Sequence, residues 1–206
     1  MVEQEPQKLN FKLFGMYDVS EIKVEDPGLR CSINLDARLM LKSQGRNSKS
    51  KVGRFKTNVV ERFINKISNA GHRGKKHKLE VGHATGKFEK NAKILLEAFK
   101  IIEKKTGKNP IAVLVKAIEN SSPRDEVTVI EYGGARYPQA IDVSPLRRLN
   151  LSLKWLVHGS SDKAFGKKKS FAQALADEII MASEESGDSF AVKRKKEAEA
   201  QADSAR

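Results

Sequence analysis

Thirteen side chains able to bind phosphate fall within residues 37–79: Arg38, Lys42, Arg46, Lys49, Lys51, Arg54, Lys56, Arg62, Lys66, Arg73, Lys75, Lys76 and Lys78. One acid, Glu61, lies among them, so the segment carries a net charge of +12. The whole 206-residue chain carries +13, and the remainder is balanced, with 26 basic and 25 acidic groups. Like charge at this density repels itself unless a polyanion neutralises it. Nucleic acid is the commonest such polyanion and the favoured one. An anionic membrane surface is the main competitor. A solvated basic face accounts for five such charges more readily than for twelve.

Other chemistry finds little support. The histidines are His72, His77, His83 and His158. The first three crowd one stretch, but no second cysteine or carboxylate is placed to complete a tetrahedral metal site. They read as solvated or phosphate-contacting. Gly71-His72-Arg73-Gly74-Lys75-Lys76 lacks the four-residue gap and the Ser/Thr of a nucleotide-binding loop. There is no nucleophile elbow and no credible carboxylate pair. Neither an enzyme nor a cofactor is expected. Cys31 is the lone cysteine, which excludes an intramolecular disulfide and fits a reducing cytosol. It reads as a buried small hydrophobe. No apolar run approaches 18 residues, so no membrane span is expected. The acidic start Met1-Val2-Glu3-Gln4-Glu5-Pro6 is not a signal peptide. A cytoplasmic location follows as the expectation.

The elements that must position these cations divide the chain in three. Residues 1–36 form an N-terminal extension with an apolar cluster (Phe11, Leu13, Phe14, Met16, Tyr17), read as short strands or turns that dock on something. Residues 37–56 form a basic arm. It has too few apolar groups to build a core and is expected to be flexible until a partner orders it. Residues 57–206 form a helical domain. Val59, Val60, Phe63, Ile64 and Ile67 recur at helical spacing, with Gly71 as the expected end. A helix over about 87–105 carries Phe88, Ala92, Leu95, Phe99 and Ile102. Asn109-Pro110 opens a third, as N-cap and first helical residue. Two alternating runs flank Gly133-Gly134 and predict a β-hairpin over 126–143, projecting from the helices with Arg136 near its tip. Pro138 lacks a ladder donor and marks an edge. Ser144-Pro145 opens a fourth helix, in whose stripe Trp155 lies, read as core. Ser170-Phe171-Ala172-Gln173 is a capping box for a fifth, expected to run to Gly187. A sixth, over 191–206, has almost no apolar face and is expected to fray without a partner. The reading is a mainly α chain: a helical bundle of about six helices, a protruding two-stranded β-hairpin and a basic N-terminal arm. With no stacking sheet for single strands, these parts suit shape and backbone recognition of folded RNA.

Residues 57–206 resemble the small-subunit ribosomal protein seven family. The strongest likeness is Ala140-Ile141-Asp142-Val143-Ser144-Pro145-Leu146-Arg147-Arg148, where the hairpin enters the fourth helix. Val59-Val60-Glu61-Arg62-Phe63-Ile64-Asn65-Lys66-Ile67, Ala117-Ile118-Glu119-Asn120 and Tyr132-Gly133-Gly134 support it. Phe14-Gly15-Met16-Tyr17-Asp18-Val19-Ser20 resembles the extension of the archaeal and eukaryotic branch. The resemblance implies a structural constituent of the small subunit. Such a protein binds the head (3′ major) domain of the rRNA and promotes head assembly. It lies near exit-site tRNA and mRNA, beside ribosomal protein eleven. It implies RNA contacts at Lys49, Lys51, Arg54 and Lys56 in the arm, and at Arg73, Lys75, Lys76 and Lys78 in the loop. Arg136 on the hairpin is another, and Arg147 and Arg148 belong to the shared motif as contacts or as structural residues. A free RNA-binding translational regulator is the alternative, and an enzyme of nucleic-acid metabolism the second.

Overall fold

The structure, a computed structural model, describes residues 12–38, 41–50, 53–71 and 86–206. Among them are seven α-helices and one two-stranded sheet: α1 Pro27–Arg30, α2 Val59–Ile67, α3 Phe88–Thr106, α4 Pro110–Ser121, β1 Asp125–Tyr132, β2 Ala135–Asp142, α5 Pro145–Ala164, α6 Phe171–Ser183 and α7 Phe190–Ser204.

Three helix starts form where the sequence signals them. The Asn58 side chain accepts from the Val60 N–H, Asn109 from the Ile111 N–H, and Ser170 and Gln173 close a reciprocal capping box. Two of these caps do a second job. The Asn58 amide donates to the Asp36 carbonyl at 2.8 Å, and the Asn109 amide to the Asp18 carbonyl at 2.6 Å. The N-terminal extension is thereby clipped to the starts of α2 and α4. Leu13 is fully buried, and Tyr17 sets its ring edge-on to Phe99, centroids 5.9 Å apart.

One apolar core runs from Leu13 through the helices to Val192. Amphipathic spacing places Phe63, Ile64 and Ile67 of α2, Leu95, Phe99 and Ile102 of α3, and Ile111, Leu114 and Ile118 of α4 at zero exposure. Each such side chain adds about 2 kcal/mol by leaving water. Helix α6 packs against α3, α4 and α5, and α7 lies across α5 and the base of the hairpin. Gly159 permits a close approach of α7 and α6 to α5. A β-carbon there would sit 2.6 Å from the Phe190 Cβ and 3.0 Å from the Glu178 carboxyl carbon. Beside it the buried Glu178 carboxylate accepts from Lys163 at 2.6 Å and from Ser189 Oγ at 2.8 Å, joining α5, α6 and the start of α7.

The strands pair antiparallel from Asp125 opposite Asp142 to Tyr132 opposite Ala135. Gly133 and Gly134 have φ of 58° and 82°, as a two-residue hairpin turn requires. The ribbon leaves the core: Tyr132 is 81% exposed, and Val129, Ile130, Tyr137 and Ile141 are also exposed.

Several expectations need correction. Helix α2 ends at Ile67, with Ser68 as its C-cap, ahead of Gly71. Helix α6 ends at Ser183, ahead of Gly187. Glu185, at φ 55°, takes the left-handed position that glycine usually fills. The Glu185 N–H bonds the Ala182 carbonyl and the Ser186 N–H the Met181 carbonyl, closing the end. Cys31 is exposed, because Leu29 supplies the buried side of the one-turn helix α1. Helix α7 finds its partner inside the chain. Ala191, Val192 and Ala202 are buried, Lys195 bonds the Asn120 carbonyl, and Glu199 accepts from the Arg124 N–H. The described part of the arm contains two short 3-10 turns, Arg46–Ser48 and Gly53–Lys56. Trp155 is partly buried against the core and also lines a shallow cleft between α5 and α7.

Candidate nucleic-acid interface

A groove of about 1050 Å³ opens between the arm, α2, the start of α3 and one residue of α5. The core face of α2 faces inward, so Arg62, Asn65, Lys66 and Asn69 share its other side and line the groove. The arm contributes Lys42 and Arg54, α5 contributes Asn150, and Lys87, Lys90 and Lys93 line the α3 side. Two of these, Lys87 and Lys90, sit at the N-terminal end of α3, where the helix dipole disfavours positive charge. Glu89, in the same first turn and also lining the groove, is the one acid there that the dipole favours.

The electrostatics carry the same message. The Arg62 guanidinium donates to the Ser32 carbonyl at 3.3 Å and the Asn150 amide oxygen at 3.1 Å, both neutral. Burial, reinforced by the Arg54 charge, lowers its pKa to about 10. Lys66 is also pulled down, first by burial, then by Lys154, Arg62 and Arg54. These cations repel one another across a partly desolvated surface, and the protein tolerates the cost. Amides of Asn65, Asn69 and Asn150 add neutral donors and acceptors suited to phosphate and ribose.

The residues expected to touch RNA are distributed unevenly. Arg54 lines the groove. Lys49 and Lys56 are exposed nearby on the arm. Lys51, Arg73, Lys75, Lys76 and Lys78 lie outside the described residues, as do His72, His77 and His83. Arg136 is on the ribbon, its side chain 75% exposed and 3.6 Å from Glu131. Arg147 and Arg148 are adjacent in sequence and opposite in role. Arg147 is exposed and forms a two-pronged pair with Glu126, at 2.5 and 2.6 Å. Arg148 is buried: it bonds the Asp26 carboxylate at 2.6 Å and the Pro123 carbonyl at 3.1 Å. Its guanidinium is spent inside the fold, fastening the extension to the hairpin's base. Of the shared-motif pair, Arg148 is therefore structural. Asp26 responds accordingly. Burial would raise its pKa, but hydrogen bonds from Arg148 and the Gly28 N–H, with the charges of Arg148 and Arg124, hold it below 3.8.

Of the groove cations, Arg62 and Lys66 belong to the +12 segment but are not among the expected contacts, and Lys87, Lys90 and Lys93 lie outside that segment. A usable signal existed for two of them. Arg62 and Lys66 are one turn apart on the polar side of an otherwise apolar helix. Among the described residues no cluster of His, Cys, Asp and Glu could hold a metal, and no helix is long and apolar enough to cross a membrane.

A helical bundle with a self-repelling cation groove and a projecting ribbon belongs to the class of proteins that hold a polyanion by its backbone and shape. Comparison with known proteins makes that specific. Residues 40–206 match the family of ribosomal protein S7p/S5e. The chain is 48% identical to the small ribosomal subunit protein uS7 of Nanoarchaeum equitans, over 96% of this chain and 100% of that one. It is 43% identical to those of Methanosphaera stadtmanae and Methanococcus aeolicus, again over 96% of this chain and all of theirs. The chain belongs to the ribosomal protein S7p/S5e family, which is structural rather than enzymatic.

Proposed function

We propose that the protein is a structural constituent of the small ribosomal subunit that binds the head (3′ major) domain of its rRNA and promotes head assembly. The carrying observation is the groove, which gathers Lys42, Arg54, Arg62, Lys66, Lys87, Lys90 and Lys93, with Arg54, Arg62 and Lys66 repelling one another. An RNA backbone threaded there converts the repulsion into attraction and releases counterions. The arm residues Lys49, Lys51, Arg54 and Lys56, before α2 in the sequence, and the loop residues Arg73, Lys75, Lys76 and Lys78, after it, are the further phosphate contacts in this reading. The ribbon reaches further, towards exit-site tRNA and mRNA and towards ribosomal protein eleven. Its exposed apolar side chains suit neighbours in a packed assembly. The family places the protein in the ribosome, in the cytoplasm.

The test is equilibrium binding of the purified protein to a head-domain rRNA fragment across a salt series. The expected result is a log–log slope of several units that drops by roughly 0.7–0.9 per phosphate contact removed. Absence of salt-dependent binding would reject the reading.

A further inference from the structure

We propose that Glu61, the one acid within residues 37–79, is a positioning residue that presets the arm for RNA; this rests on the groove being the RNA site. Glu61 is 5% exposed. One of its carboxylate oxygens accepts from both the N–H and the Oγ–H of Ser43, each at 2.7 Å. Such bonds to an ionised acceptor are the strong kind. What they hold would not hold itself. Ser43 is followed by two left-handed residues, Gln44 at φ 50° and Gly45 at φ 76°. Glycine adopts that conformation freely, but glutamine does so at a cost. A non-glycine residue in this region persists only where its surroundings over-determine it. The turn itself is closed by the Arg46 N–H and Nε, both donating to the Ser43 carbonyl, at 3.1 and 3.2 Å. Glu61 thus fixes the residue that anchors the turn, and the turn lies in the groove wall.

Further ties lie on either side of that turn. Leu41 is buried in the core, and Lys42 lies 5.7 Å above the Phe88 ring. At the far end the Asn47 carbonyl stands where a β-carbon on Gly53 would be, at 2.0 Å. Glu61 works between these anchors. Its negative charge opposes the ligand, yet it sits in the wall of the ligand's groove. Preorganisation resolves the conflict: an arm already in place loses less freedom on binding.

The two effects predict opposite signs. On charge alone, removing an acid from the groove tightens RNA binding. On preorganisation, removing the clasp weakens it. The experiment measures affinity for a head-domain rRNA fragment with Glu61→Gln, Glu61→Ala, Ser43→Ala and Ser43→Thr. Glu97→Gln, exposed on α3 and outside the groove, controls for charge. The expected result is a roughly three- to tenfold loss for Glu61→Ala and a smaller loss for Glu61→Gln, with the salt slope unchanged. Ser43→Ala weakens binding with no change of charge, Ser43→Thr restores it, and Glu97→Gln is neutral. Hydrogen exchange at residues 43–46 of the free protein speeds up in Glu61→Ala and Ser43→Ala, a readout independent of RNA. Tighter binding by Glu61→Gln, or unchanged exchange in Ser43→Ala, overturns the proposal. If the parent protein fails to bind while exchange responds as expected, the RNA reading fails and the clasp stands.

Discussion

The groove and the hairpin base both contain arginine, and they surround it differently. At the base, Arg147 meets Glu126, Arg148 meets Asp26 and Arg206 meets Asp125, at 2.5–2.7 Å. In the groove, Arg62 meets only neutral acceptors among its described bonds, and its charged neighbour is another cation. Carboxylates meet the arginines at the base, whereas a carbonyl and an amide oxygen hold Arg62. The ribbon sharpens the contrast. Asp125–Asp142 carries four acids and one base, so the projecting element is acidic while the recessed one is basic.

The largest expected effect comes from breaking the paired side. Arg148→Ala strands the Asp26 carboxylate and should destabilise the protein by about 3–5 kcal/mol, read by urea denaturation. Its RNA affinity per folded molecule should hold. The reverse pattern is expected in the groove. Lys66→Gln removes a repelled, half-buried cation, so stability should stay or rise slightly while RNA affinity drops about tenfold, or ~1.4 kcal/mol. If Lys66→Gln instead unfolds the protein and leaves affinity alone, the contrast collapses.

Acid should act on the paired side first. Asp177 resembles Asp26 in this respect. Burial would raise it, but hydrogen bonds and charge from Lys105 and Lys169 hold it below 3.8. Both carboxylates therefore stabilise the fold fully above pH 3.8, and that contribution is lost as pH falls through their lowered folded values. Urea midpoints measured from pH 6 downward should decline in the parent and decline less in Asp26→Asn. The smallest effect is expected at the exposed Arg136–Glu131 contact. Arg136→Ala should leave thermal stability within about 0.5 kcal/mol of the parent and lower the RNA salt slope by at most one unit.

Local signals in the sequence translate well. Asn109 and Ser170 cap the helices they announce, and Gly133-Gly134 turns the hairpin it announces, because each depends on neighbours a few residues away. What escaped depends on distance in the chain. Arg148 looks like an RNA contact until Asp26, 122 positions away, is seen beneath it. The groove assembles cations from the arm, α2 and α3, and no one of these segments contains it. Helix α7 seemed to lack a face because its partners are α5 and the hairpin. Glu185 misled in another way: a charged residue stands where glycine was the expected stop.

The attachment of α7 bears on the order of events during synthesis. Arg124, Asp125 and Asn120 are made early, and the groups that hold them (Glu199, Arg206 and Lys195) leave the exit tunnel some 75 to 81 residues later. The groove, built from residues 42–150, is complete before that. The bonds between α7 and the hairpin base therefore form only after the groove's residues have all been made.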